Sequence, residues 1–251
     1  MLFQIDRSIL SRVATVRARR RRARHLGFRF KRAARFQLPY QIRINDECRS
    51  LRSPNDNGTR TAFIDVLLDD CYLLESFPCD LRTVLDIGSH VGFFSLAARN
   101  RWPNAIIHGY EPNEGMLKYL STQAEAADFL IFPEAVGFDD GLVSVDVCPD
   151  SVQTRVHRDS AGSVRLTPFS EAISRLGGSV DLVKLDCEGG EWEILNDADA
   201  WQNVRYLTME YHLWAGYSVT HLESRLAELG FLIGSQTQTG PDFGLLTAYR
   251  N

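Results

Sequence analysis

Two hydrophobic periods alternate along the chain. Short β-rich apolar runs lie at 83–87, 105–110, 130–136, 180–186 and 204–212, and stretches of helical spacing lie at 92–100 and 114–126. Strands separated by helices predict βαβ crossovers, which need a parallel sheet covered on both faces. The expected fold is therefore α/β, a doubly wound and mostly parallel sheet. After the fifth run the pattern changes. Thr220 is placed to cap a helix carrying Leu222, Leu226 and Leu229 on one face. Gly230 to Ile233 and Phe243 to Tyr249 then predict two closing strands around a polar turn, an antiparallel C-terminal hairpin. Gly141 to Val147 alternates and predicts one more strand, with Ser163 to Thr167 as its partner and 148–162 as a polar loop facing the substrate. Pro168 opens a helix. Upstream, 61–77 reads as a helix leading into the sheet. Residues 36–60, with Ser53-Pro54-Asn55-Asp56-Asn57-Gly58, read as a linker, so the main domain is 61–251.

The strand ends carry the chemistry. The first run closes in Asp86-Ile87-Gly88-Ser89-His90-Val91-Gly92, a strand, a tight turn and a helix start. Gly88 permits a sharp turn and a close ligand, and the turn aims helix N–H groups at that ligand. Glu111 ends the second run, 23 positions after Gly88. That is near the offset at which an acid meets a ribose in mononucleotide-binding units. A carboxylate accepts from two vicinal hydroxyls at once. The fourth run ends in Lys184-Leu185-Asp186-Cys187-Glu188-Gly189-Gly190-Glu191, and the fifth in Glu210-Tyr211-His212. Lys184, Asp186 and Glu188 share one parity, as do Glu210 and His212, so each set can face one side. In open α/β sheets ligands bind at the carboxyl ends of strands, where these acids converge.

These motifs together resemble the FkbM-type S-adenosylmethionine-dependent methyltransferases. That family shows Asp-Ile-Gly-Ala-Asn-Ile-Gly, then Glu-Pro-Asn, then Lys-Ile-Asp-Val-Glu-Gly-Ala-Glu. This chain matches in order through Asp86–Gly92, Glu111-Pro112-Asn113 and Lys184–Glu191. It departs at Ser89-His90, Cys187 and Gly190. The resemblance covers about residues 60 to 251, and Asp65 to Tyr72 is similar to the family's helix over the cofactor. It implies a Rossmann-like class I methyltransferase fold with S-adenosylmethionine as cofactor. It also implies cofactor contacts at Asp86, Gly88, Ser89, His90, Gly92, Glu111, Pro112 and Asn113, with Ala135 and Val136 at the end of the third run. The acceptor it implies is a hydroxyl on a sugar, glycan or small natural product. Removing the hydroxyl proton calls for a base; His212 is the first candidate, with Asp186 and Glu188 next. Two carboxylates alone do not specify a cation, so no metal is expected.

Two other classes share part of the pattern. A nicotinamide oxidoreductase would use Glu111 in the same way, but Gly-x-Gly-x-x-Gly is missing. Base-amino methylases carry Asn/Asp-Pro-Pro-aromatic at the fourth strand end, where this chain has Asp186-Cys187-Glu188-Gly189. A nucleic-acid partner is thereby disfavoured.

Charge adds one feature to this picture. The chain has 28 basic and 32 acidic side chains, yet residues 1–35 hold twelve of the basic ones and a single acid, Asp6. Leu2, Ile5, Ile9, Val13 and Val16 recur there at helical spacing. A separable basic arm over 1–35 is expected. It could contact an anionic lipid or nucleic-acid surface, dock on the acidic body, serve as an organelle transit segment, or extend into solvent. The five cysteines are scattered, which points to a reducing compartment and a cytoplasmic location. Cys187 is expected to pack in the core. No run approaches the ~20 apolar residues of a membrane span.

Overall fold

The computed structural model describes residues 7–146 and 154–250. The chain starts with helix α1 (Arg7–His25) and a hairpin of β1 (Gln41–Ile44) and β2 (Glu47–Ser50). Helix α2 (Asn57–Phe63), capped by Asp56, widens into a π-helical turn at Ile64–Leu68. The first unit of the sheet follows: β3 (Thr83–Ile87), α3 (Phe93–Arg101), β4 (Ile106–Tyr110), α4 (Glu114–Ala127) and β5 (Leu130–Phe132). Next come four short strands, β6 (Ala135–Gly137), β7 (Gly141–Asp146), β8 (Arg155–Arg158) and β9 (Val164–Pro168). Helix α5 (Phe169–Ser174) leads to β10 (Val180–Leu185), and α6 (Glu191–Leu195) and α7 (Ala198–Trp201) lead to β11 (Val204–His212). The chain closes with α8 (Val219–Glu228), β12 (Leu232–Gln238) and β13 (Phe243–Tyr249).

The main sheet has seven strands in the order β12-β13-β11-β10-β3-β4-β5. The five from β11 to β5 are parallel, and β13 and β12 add an antiparallel hairpin at one edge. This is the doubly wound α/β architecture that the hydrophobic pattern predicts. The chain runs outward from β3 to β5, then returns to β10 on the other side of β3. That reversal opens a crevice at the carboxyl ends of β3 and β10, where such sheets hold ligands. The central strands are apolar on both sides because helices cover both faces. Leu85, Leu182, Val183, Leu185 and Leu207 are all fully buried.

Several local expectations need correction. The run 130–136 is two strands in two sheets: β5 joins the main sheet, and β6 pairs with β9 in a four-stranded sheet with β7 and β8. Pro133 and Glu134 break the run between them. Within the expected loop 148–162, Arg155–Arg158 forms a strand against β7, while 147–153 lies outside the described residues. The cap of α8 is Ser218, whose side chain accepts from His221 N, not Thr220.

The N-terminal segment is in contact with the body. Leu2 and Ile5 lie outside the described residues, and Val13 is 41% exposed. What packs is the later part: Ala23, Leu26, Phe30 and Phe36 are buried in one cluster with Phe63, Leu68 and Phe93. Phe36 packs at a tilt against Phe28, Phe30 and Phe63, with ring separations of 5.8, 5.3 and 5.4 Å. Arg19 grips Asp69 with both ends of its fork, its Nε 2.7 Å from Oδ1, and Arg22 donates to Leu68 O at 3.0 Å. The expected linker likewise buries Ile42, Ile44 and Leu51. Opposite charge and an aromatic layer thus tie the basic segment to the body, so packing does not change at residue 35 or at 60. Among the described residues, no helix is long and apolar enough to cross a membrane.

Phe36 tests this attachment. Phe36→Ala should cost about 3–5 kcal/mol, the usual loss for a buried aromatic. Urea unfolding would measure it, and an unchanged midpoint would show that the aromatic layer does not hold the segment. Deleting residues 1–36 should destabilise the body further.

Candidate active site

The glycine turn after β3 is built more tightly than its sequence implies. Gly88 has φ 78°, and a Cβ there would lie 1.8 Å from Asp186 O, so the end of β10 presses directly on it. Only glycine fits both constraints. Its amide and that of Ser89 donate to Tyr110 O at 3.0 and 2.9 Å, and His90 N donates to Glu111 Oε2 at 2.7 Å. The N–H groups of Gly88, Ser89 and His90 are therefore taken by Tyr110 and Glu111 and are not the ones aimed at a ligand. Gly92 also has positive φ, and its missing Cβ makes room for Leu120 of α4.

Glu111 closes the turn from the other side. It is 5% exposed, and Oε1 accepts from Asn113 N at 2.8 Å. Burial pushes its carboxyl up to about 7, against the two backbone bonds that favour the anion. Each oxygen retains a further lone pair for a vicinal diol. Asn113 itself turns away: Oδ1 caps α4 by accepting from Gly115 N, and Nδ2 donates to Thr154 Oγ1.

These groups border one cavity of about 390 Å³. Gly88, Ser89, His90, Glu111, Pro112, Ala135 and Val136 line one half, and Asp186, Glu188 and His212 the other. The expected residues Asp86, Gly92 and Asn113 do not line it. Asp86 is fully buried beneath the turn, where Oδ2 accepts from Ser95 Oγ at 2.7 Å and Oδ1 lies 3.3 Å from Lys184 Nζ. Its role is to hold the floor, as Gly92 and Asn113 hold the adjoining helices. The cavity suits an adenosyl sulfonium: a buried diol acceptor at one end, apolar wall at Ala135 and Val136, and carboxylates toward the cationic end.

The half around Asp186 is a dense charge network. Lys184 is buried, and its ammonium donates to Gly88 O at 2.6 Å and Ile87 O at 3.2 Å. Burial opposes its charge, but Asp86 and Asp186 outweigh burial and raise its pKa. Tyr72 OH donates to Asp186 Oδ2 at 2.6 Å, and burial, then the Asp186 charge, pushes its phenol well up. Glu191 is buried and receives Cys187 N at 2.9 Å and Gly189 N at 3.0 Å. It lies 3.2 Å from His212 Nδ1, which leaves Nε2 aimed into the cavity, 3.7 Å from Glu188 Oε2. Burial pulls the imidazole down, yet the Glu191 bond and the charges of Glu191, Asp186 and Glu188 push it up to about 9. Three carboxylates thus favour the charged form of His212, the first candidate base. Burial and Asp186 raise Glu188 to about 7 and Glu210 to about 8. Cys187 borders both the core and the cavity, and burial, then Glu191, pushes its thiol well up, so it is no nucleophile.

Several wall residues escaped the motif reading. Trp192 and Tyr217 stack at 3.8 Å, and Trp214 sits between His212 at 4.6 Å and the Arg155 guanidinium at 4.4 Å. Tyr72 arrives from the turn after the π-helical segment. A Trp two residues beyond a strand-end His was the one signal available for Trp214; the others come from elements whose placement depends on tertiary packing.

Comparison with known proteins identifies the family. The model of the methyltransferase FkbM domain matches residues 86–233. The methyltransferase sdnD of Sordaria araneosa is 24% identical, over 74% of this chain and 88% of its own. Among solved structures, magnesium protoporphyrin IX methyltransferase of Synechocystis PCC 6803 superposes with TM-score 0.49 at 16% identity, covering 80% of this chain and 87% of that one. Fibrillarin of Aeropyrum pernix gives TM-score 0.48 at 15% identity, over 87% and 84%. The family match decides for methyl transfer over the nicotinamide alternative.

Glu111→Ala should remove charge-assisted hydrogen bonds worth about 1.5–3 kcal/mol and weaken S-adenosylmethionine binding roughly 10- to 100-fold. Affinity of the wild type should rise with pH until Glu111 is ionised, near 7, and level off above it. Calorimetric titration at several pH values checks both; equal affinity in wild type and variant would remove Glu111 from the ribose.

Proposed function

Because the chain belongs to the FkbM methyltransferase family and takes its methyl from S-adenosylmethionine, we propose that it methylates a hydroxyl on a sugar, glycan or other small natural product. The observation that carries this reading is the position of Asp186, Glu188 and His212 across one cavity from Glu111. The cofactor, when bound, supplies a methyl on a sulfonium leaving group. The protein's task is then mainly alignment and proton removal. The glycine turn and Glu111 hold the nucleoside end. Lys184 fixes the turn against β10, so the two halves of the cavity keep their spacing. Trp192, Trp214 and Tyr217 wall the acceptor half with aromatic faces, which suit the C–H faces of a sugar or a flat ring. A hydroxyl between these walls and the cluster can pass its proton to the carboxylates while the oxygen takes the methyl.

A nucleic-acid acceptor finds less support. The basic segment that suggested it packs through Arg19 and Arg22 against the body's own acids.

The test is methyl-labelled S-adenosylmethionine with a panel of mono- and oligosaccharides and polyhydroxylated small molecules, the product being located by NMR. Label on oxygen is the expected result; label on nitrogen, carbon or sulfur overturns the reading. Glu188→Gln should lower turnover by about 10²- to 10⁴-fold, the usual contribution of a general base, with cofactor affinity little changed. Full turnover in both Glu188→Gln and Asp186→Asn would place proton removal outside the cluster.

A further inference from the structure

Asp186 and Glu188 follow the end of β10, and His212 is the last residue of the neighbouring strand β11. One donor atom from each lies within 4.8 Å of the other two. Two carboxylates and one imidazole around a point are a donor set for a divalent cation of the Mg²⁺, Mn²⁺, Fe²⁺ or Zn²⁺ class. We propose that this cluster is a divalent-cation site on the acceptor side of the cavity. The site stands on the geometry alone; its bearing on methyl transfer rests on the hydroxyl-acceptor reading above.

Two observations separate it from an ordinary acidic surface. The first is the orientation of His212. Its side chain is 5% exposed, and Nδ1 is held by Glu191, itself 1% exposed and anchored by the amides of Cys187 and Gly189. A buried carboxylate behind the imidazole fixes which nitrogen faces outward and raises its basicity as a ligand, as outer partners of metal-bound histidines do. Nε2 is thereby presented to the cluster, and Glu188 Oε2 at 3.7 Å is beyond hydrogen-bond range. The second is the bond from Tyr72 OH to Asp186 Oδ2. It orients that carboxylate and leaves Oδ1 for a cation. Lys184 stands 3.8 Å from the same Oδ2 and is held by Asp86 and the carbonyls of the turn, so it does not fill the centre.

Three protein donors would leave further positions open on such a cation, and an acceptor with two adjacent oxygen atoms could fill them from the cavity. The acceptor class that this geometry favours is therefore a vicinal diol, a catechol or a hydroxy-carbonyl compound, in preference to an isolated alcohol.

The experiment is Mn²⁺ binding to the full-length protein, read as loss of the free-ion paramagnetic resonance signal, without cofactor or acceptor. One site is expected, and excess Mg²⁺ should displace the ion if the site prefers hard cations. Asp186→Asn and Glu188→Gln should each weaken binding at least 10-fold. Glu191→Gln, which touches no ion, should weaken it by about 10- to 100-fold through the histidine. Calorimetric titration with S-adenosylmethionine verifies that each variant is folded. A wild type that leaves millimolar Mn²⁺ free overturns the proposal, as does equal binding in the Asp186→Asn/Glu188→Gln double variant. Either result leaves the methyltransferase reading intact. A wild type that binds Mn²⁺ but transfers label to no hydroxyl compound refutes that reading and keeps the site.

Discussion

Lys184 is a buried ammonium at the point where the two halves of the sheet part. It donates to the carbonyls of Ile87 and Gly88 and lies between Asp86 and Asp186. An unpaired cation there would carry a heavy desolvation cost, so its partners must stay in place. Those partners are the last residues of β3, the glycine turn and the first residue after β10. One charge therefore fixes the distance between the Glu111 end of the cavity and the Asp186 end. The close approach of Asp186 O to Gly88 is the steric side of the same constraint. A side chain at Gly88 would push β10 away and take Lys184 from at least one partner.

The charge network divides the cavity's labour. Around Glu111 the polar groups are few and satisfied by backbone amides, which favours a neutral diol. Around Asp186 the carboxylates outnumber the cations within reach. That excess suits a sulfonium next to it; it adds to burial in raising Glu188 and Glu210 and outweighs burial in raising His212. Shifted groups of this kind gather where a ligand or an ion completes the charge balance. Glu191 matters here without touching the cavity's centre, because it sets the direction of the His212 ring.

The basic N-terminal segment contributes to the same frame from outside. Its aromatic layer with Phe63 supports the helix that widens into the π-helical turn, and that turn delivers Tyr72 to Asp186. A segment whose composition suggests a free arm is thus two contacts away from the site. Arg20, Arg21 and Arg24 stay exposed, so docking and surface charge coexist on one helix.

Period and turn chemistry fixed much of this protein without tertiary information. Strands β3, β4, β10 and β11, their order of chemistry-bearing ends and the C-terminal hairpin are legible because each has a strong local signal. That signal is an apolar run closed by glycine or by an acid. Gly88, Glu111, Asp186, Glu188 and His212 could be named for the same reason, since strand ends in such sheets share one edge. The roles of Asp86, Asn113 and Gly92 were not legible. Whether a strand-end polar group faces a ligand or supports its neighbour depends on which partner reaches it first, and Lys184, Gly115 and Leu120 come from other elements or later turns. The same holds for His212. Its identity is local, but its protonation is set by Glu191, Asp186 and Glu188, three carboxylates brought around it by folding. Charge interactions act through space and burial, so only the tertiary structure could decide them.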